Sequence, residues 1–160
     1  MNFSEKNILA VGSIALDSLE TINGNMDEIL GGSATYFGVA ASFFAPVSVV
    51  GVVGNDFPQS GWDLFSKFQI DTSNVDVVSG TTFRWGGTYS DDYSTRSTRF
   101  TELGLFEKFS PKIDDNYHSS HFLFLGNIQP ELQLQVAAQI KNAKYVVCDT
   151  MNLWIDLSKD

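Results

Sequence analysis

The chain has 160 residues, 43% hydrophobic and 13% aromatic, which is enough for one domain with a real core and far from a disordered composition. Ten Lys and Arg against 19 Asp and Glu give a net charge of −9, which argues against a nucleic-acid backbone or an anionic membrane surface as partner while leaving room for a small anionic ligand. The single cysteine, Cys148, cannot form an internal disulfide, and no basic segment followed by an apolar core opens the sequence, so the chain reads as a soluble cytoplasmic domain.

The first element is a continuous apolar run over residues 8–14, the pattern of a strand covered on both faces. Residues 16–22 are half polar, Asn23-Gly24-Asn25 is a turn signal, and residues 26–30 resume, which predicts a hairpin standing off the core. The stretch GGSATYFGVAASFFAPVSVVGVVGND, from Gly31 to Asp56, organises the rest. Its small and aromatic residues predict a helix over about 33–44, Pro46 a break, and the β-branched run at 47–53 a buried strand. No charge lies between Glu28 and Asp56, but five glycines and Pro46 interrupt the run, and the nearest charges are acidic. Both points argue against a membrane span.

Asn55-Asp56 is a capping signal for a helix carrying Trp62, Leu64, Phe65 and Phe68. From Thr81 to Phe106 the composition turns to Thr, Ser, Tyr, Arg and Phe. This predicts a second polar β excursion near 75–104, a solvent-facing antiparallel pair turning near residues 90–93. Buried strands are expected again at 122–125 and 145–148, with Cys148 as a small hydrophobe in the second. Pro130 opens a helix between them that runs to about residue 142. Apolar strands alternating with helices predict an α/β fold with a mostly parallel sheet, joined by a small antiparallel β sheet. The sequence stops soon after an apolar strand, and such a strand usually needs a further covering element. The expectation is therefore the front part of a longer protein.

The sequence has no Gly-x-x-x-x-Gly-Lys-[Ser/Thr] phosphate loop, no Gly-x-Gly-x-x-Gly and no Gly-x-Ser-x-Gly elbow. His118 and His121 lack neighbours for a zinc site and read as a loop and a strand-edge histidine. What remains are polar residues at strand ends, where parallel α/β sheets gather ligands. Asp17 follows the first strand, either as an acceptor for two hydroxyls of a polyol or as a solvated turn carboxylate. Gly31 and Gly32 either present amides to the same ligand or end the hairpin. Asn127 and Gln129 follow the third strand, and Asp149 and Asn152 the fourth; singly each is a turn or cap residue, and together they suggest a site. Arg84, Arg96 and Arg99 offer either an anion clamp or a solvated strand face. Phe83, Trp85, Tyr89 and Tyr93 would pack over a sugar or base ring, or bury against a partner subunit or the other small sheet.

Ile8-Leu9-Ala10-Val11-Gly12-Ser13-Ile14-Ala15-Leu16-Asp17, then Gly31-Gly32 with Val39-Ala40-Ala41, then Val50-Gly51-Val52-Val53-Gly54-Asn55-Asp56-Phe57 resemble the N-terminal half of the ribokinase-like PfkB carbohydrate kinases. Asp149-Thr150-Met151-Asn152 resembles the segment after a later core strand of that family. The resemblance implies a Rossmann-like core near 7–15, 31–74 and 107–160, with a β lid near 16–30 and 75–106 that in some members also forms a homodimer contact. It implies ATP with Mg2+ as cofactors and transfer of the γ-phosphate to a sugar or nucleoside hydroxyl. Asp17 matches the aspartate that binds substrate hydroxyls, and Gly31-Gly32 the diglycine at the sugar site. Tyr36 stands where the family has a substrate-contacting asparagine. The catalytic base, in a Gly-Ala-Gly-Asp motif, would lie beyond Asp160, as would most of the ATP and metal sites. The alternative is a non-catalytic sugar-binding or dimerisation module on the same fold.

Overall fold

The computed structural model describes residues 7–158. Five strands form an all-parallel sheet in the order β5-β4-β1-β8-β9. They are β1 (Ile8–Val11), β4 (Val47–Gly54), β5 (Asp71–Val78), β8 (Phe122–Leu125) and β9 (Tyr145–Cys148). A second sheet, in the order β3-β2-β6-β7, holds β2 (Ala15–Thr21), β3 (Gly24–Gly31), β6 (Phe83–Tyr89) and β7 (Arg96–Glu102). Helices α1 (Ser33–Ser42), α2 (Gln59–Lys67), α3 (Pro130–Gln139) and α4 (Asn152–Leu157) and two short 3-10 turns, Gly104–Lys108 and Asp115–Tyr117, complete the described chain.

The unbroken apolar runs are explained by burial of both faces of the parallel sheet. Leu9 and Val11 of β1 point with Val50, Leu123 and Leu125 into a layer closed by Val136 of α3 and by Phe106, Phe109 and Ile113. Ala10 points the other way, with Val49, Val53 and Phe124, against Ala34 and Ala41 of α1 and Phe65 of α2. The uncharged α1 buries its small residues Ala34, Thr35, Gly38 and Ala41, and this lets it lie close to β4. Phe37 of α1 stacks on Phe124 with ring centroids 3.7 Å apart. The stretch with the fewest charges is thus a helix–proline–strand unit, and among the described residues no helix is long and apolar enough to cross a membrane.

Four expectations are corrected. Residues 75–78, assigned to the second sheet, are the far half of β5 and pair with β4 from Gly51↔Val75 to Gly54↔Val78. The second sheet is mixed, because β2 and β6 run parallel at its centre while β2–β3 and β6–β7 are antiparallel. β9 is exposed along its length, with Cys148 at the surface, because it is the outer strand and neither of its faces is covered. Its apolar letters look like those of β8; only position in the sheet separates them.

The fourth correction concerns Asp56, which does not cap α2; Pro58 occupies the N-cap. Asp56 instead ties the two sheets together. Its carboxylate accepts hydrogen bonds from the Thr82 amide (2.9 Å), the Thr82 hydroxyl (2.7 Å) and Arg84 Nη1 (2.7 Å). The Thr82 hydroxyl in turn accepts from the amide of Gly54 at 2.9 Å, and Arg84 also reaches Glu28 at 2.8 Å. Burial alone would lift the Asp56 pKa, but the Thr82 bonds and the Arg84 charge hold it below its usual value.

Candidate functional site

A cavity of about 490 Å3 lies between the two sheets, beyond the carboxyl ends of β1, β8 and β9. This is where ligands gather in parallel α/β sheets. Its core side is built from Ser13, from Ser33 at the start of α1, and from Asn127 and Asp149, which follow β8 and β9. Gln133 of α3 holds these last two strand ends together, donating through Nε2 to the carbonyls of Gly126 and Asp149, both at 2.8 Å. The outer side is the inner face of the second sheet.

Asp17 is placed by that sheet. It lies on β2 opposite Ile29 and beside Trp85 of β6. Its carboxylate packs directly on Gly31, and a Cβ there would overlap the Asp17 oxygens. Among the described residues nothing donates a hydrogen bond to Asp17 and no cation pairs with it. Burial without compensation pushes its pKa up to about 6, from the usual 3.8. A desolvated carboxylate with both oxygens free, at the wall of a cavity, is arranged to accept hydroxyl donors.

Gly32 joins β3 to α1 with φ +94°, and a Cβ would strike the Ser13 carbonyl, so only glycine fits this crossing. The amides of Ser33 and Ala34 at the α1 N-terminus are not free for a ligand. They donate to the Ser13 hydroxyl and carbonyl, both at 3.0 Å.

The structure therefore brings Asp17, Gly32, Tyr36, Asn127 and Asp149 to one cavity, with Gly31 packed behind Asp17. Asn127 Oδ1 is buried there without a partner. Gln129 and Asn152 are not at the cavity: Gln129 sits at the N-cap of α3 with its Oε1 buried elsewhere, and Asn152 is an exposed first residue of α4. Sequence reasoning missed the wall formed by Met151, Leu153 and Trp154. Their signal was the spacing of Leu153, Trp154 and Leu157, too short a pattern to define a helix.

The three arginines divide. Arg84 serves the tie to Asp56 and Glu28, Arg99 pairs with Glu20, and Arg96 lines the cavity 5.8 Å over the Trp85 ring. Phe83, Trp85 and Tyr89 also line the cavity, whereas Tyr93 packs against Tyr89 with its ring tilted, outside it. Among the described residues no group of three His, Cys, Asp or Glu side chains converges to hold a metal. His118 bonds the Ile113 carbonyl in a loop, and His121 is exposed before β8.

A parallel core sheet, a smaller mixed sheet over its carboxyl end and a cavity between them make the ribokinase fold, and solved structures of that fold match this chain closely in shape. A nucleoside kinase of the ribokinase family from Methanocaldococcus jannaschii superposes with a TM-score of 0.70 at 20% identity, over 90% of this chain and 52% of that one. The Burkholderia thailandensis nucleoside kinase in complex with inosine gives 0.70 at 18%, over 89% and 51%. Ribokinase from Cryptococcus neoformans in complex with ADP gives 0.72 at 16%, over 93% and 51%. The likeness is one of fold, and the chain spans about half the length of these proteins. No protein-family model and no curated protein matches the sequence.

Proposed function

We propose that this chain is the acceptor-holding half of a cytoplasmic, ATP-dependent kinase that phosphorylates a hydroxyl of a sugar or nucleoside. The observation that carries the reading is Asp17: a half-buried, unpartnered carboxylate backed by Gly31 at the wall of the cavity between core and lid. The fold, shared with sugar and nucleoside kinases, supplies the reaction class.

Phosphoryl transfer depends on positioning the acceptor and excluding competing water. In this reading Asp17 accepts bonds from two adjacent hydroxyls and so fixes the ring. Asn127, whose buried Oδ1 lacks a partner, takes a third donor. The lid sheet keeps solvent from the acceptor. Neither ATP nor Mg2+ is given a place on the described residues, which offer no acidic trio for a metal and no phosphate loop.

Calorimetric titration of the 160-residue chain with ribose, hexoses and nucleosides tests this. At least one polyol should bind, with the heat abolished in Asp17→Ala. Gly31→Ala, which forces the carboxylate from its seat, should weaken the same ligand by about tenfold or more, the loss of one charge-assisted hydrogen bond. Binding that survives Asp17→Ala unchanged would remove the site.

A further inference from the structure

We infer that Gln133 is a positioning residue for the cavity: it touches no ligand itself, but it sets where Asp149, a contact for the ligand, stands. The inference rests on the reading of the cavity as the acceptor site given above, and names the residue that holds its β9 side in place.

Gln133 lies on the side of α3 that carries Val136 and Ile140 into the core, and it is only 7% exposed. Hydrophobic side chains fill such positions, and an amide there is costly unless both of its ends are bonded. Here both ends are bonded. Nε2 donates its two hydrogens to the carbonyls of Gly126 and Asp149, each at 2.8 Å, with the Leu125 carbonyl further off at 3.4 Å. Oε1 accepts from the Cys148 thiol at 3.2 Å. None of these partners is on α3; all belong to the carboxyl ends of β8 and β9.

The two strand ends differ in what else holds them. The β8–β9 ladder stops at Leu125↔Cys148, and one further bond joins the Asp149 amide to the Leu125 carbonyl at 2.9 Å. The β8 end is gripped from its other side by β1. The Gly126 amide donates to the Val11 carbonyl at 2.7 Å, and a Cβ on Gly126 would meet Ser33 of α1. Asn127, one residue on, is therefore placed without help from Gln133. The β9 end has no such second grip, because β9 is the outer strand and is exposed along its length. Among the described residues, Gln133 is the only side chain bonded to the Asp149 backbone apart from the adjacent Cys148.

The clamp works from a fixed base. Val136 and Ile140 anchor α3 in the core, and Gln139 ties it to the loop before β8, accepting from the Ile113 amide and donating to the Pro111 carbonyl, both at 3.0 Å. Gln133 lines no part of the cavity, whereas Asp149 does. A hydrogen bond weakens steeply as its distance and angle leave a narrow range, so the seat of Asp149 decides what its carboxylate is worth to a ligand.

Calorimetry with ribose, glucose and inosine as probes tests the inference on wild type, Gln133→Met, Asp149→Ala, Asn127→Ala and the two double variants that carry Gln133→Met. Methionine fills the same space and removes both ends of the clamp. Gln133→Met should weaken whichever probe binds by about tenfold, the loss of one hydrogen bond to a charged group. The same substitution should cost nothing further in the Asp149→Ala background and the full factor in the Asn127→Ala background, a pattern that general loosening of the fold does not give. In wild type the side-chain amide resonance of Gln133 should shift when the probe is added, a readout that does not depend on Gln133→Met folding. No loss in Gln133→Met, equal losses in both backgrounds, or a Gln133 resonance that ignores a bound probe would each overturn the assignment and leave the acceptor site standing. If none of the probes binds, or if binding survives Asp17→Ala, the acceptor site fails and the inference with it.

Discussion

Asp17→Asn is expected to make the protein more stable at pH 7.5 and to cost it its ligand. The carboxyl is pushed from 3.8 up to about 6 because burial strips its water and no donor replaces it. Below pH 3.8 the group is neutral in both folded and unfolded chains, and it contributes nothing. Between 3.8 and 6 the folded chain keeps a proton that the unfolded chain has released, so stability falls as pH rises. Above 6 the full cost is present. A shift of this size corresponds to about 3 kcal/mol, reduced to about 1–2 kcal/mol by the solvent that still reaches the group. Urea denaturation of wild type and variant should therefore coincide near pH 4 and separate by that amount at pH 7.5. Ligand affinity should run the opposite way and weaken below pH 6, since a protonated carboxyl accepts hydroxyl bonds poorly. Equal stabilities at pH 7.5 would mean that the carboxylate is already satisfied.

Asp56→Ala is expected to be strongly destabilising although the residue is not in the core. The substitution leaves the amide and hydroxyl of Thr82, a residue only 1% exposed, without their acceptor. It also takes one of the two carboxylates from Arg84, which keeps Glu28 and the Thr82 carbonyl. Two stranded donors of this kind cost about 2–3 kcal/mol, a fall in Tm of roughly 5–10 °C for a chain of this size. Asp56 is held below its usual pKa, so its contribution is complete above pH 3.8 and is lost as pH falls below that value. Asp56→Asn, which keeps an acceptor for Thr82, should recover part of the loss. Ligand binding should weaken along with stability, because the tie fixes the second sheet over the cavity. A variant with wild-type Tm would show that Thr82 finds its partners elsewhere.

Much of this was legible in the letters. The runs at β1, β4 and β8 are apolar without alternation because both faces are covered, and the two polar excursions announce strands with one face toward water. The placing of Asp17 beside Gly31 also followed, through the resemblance that assigned both to the sugar site. What stayed hidden depends on partners far away in sequence. Asp56 reads as a helix cap because nothing local reveals Thr82, 26 residues later, as its donor. The three arginines of the second sheet are alike in sequence, and only cross-strand register shows that two are paired and Arg96 is turned to the cavity. Gln129 and Asn152 look like Asn127 and Asp149, yet one is absorbed at the start of α3 and the other faces solvent. A strand end fixes which residues are near a site, but not which way each side chain turns.

The bare faces of β9 set how the molecule opens. Tyr145, Val146 and Val147 are each more than half exposed, and that strand is held by its ladder to β8, by the Tyr145 ring stacked on Phe122 and by Gln133 at its carboxyl end. β4, by contrast, is buried along nearly its whole length between β1 and β5. Amide exchange follows local opening, which is cheapest where few apolar contacts must be broken. Deuterium should enter Val146, Val147 and Cys148 well before Val49, Val50 and Val53, with β1 and β8 in between. The sheet then erodes from one side, and a ligand seated against Asp149 would slow the first step.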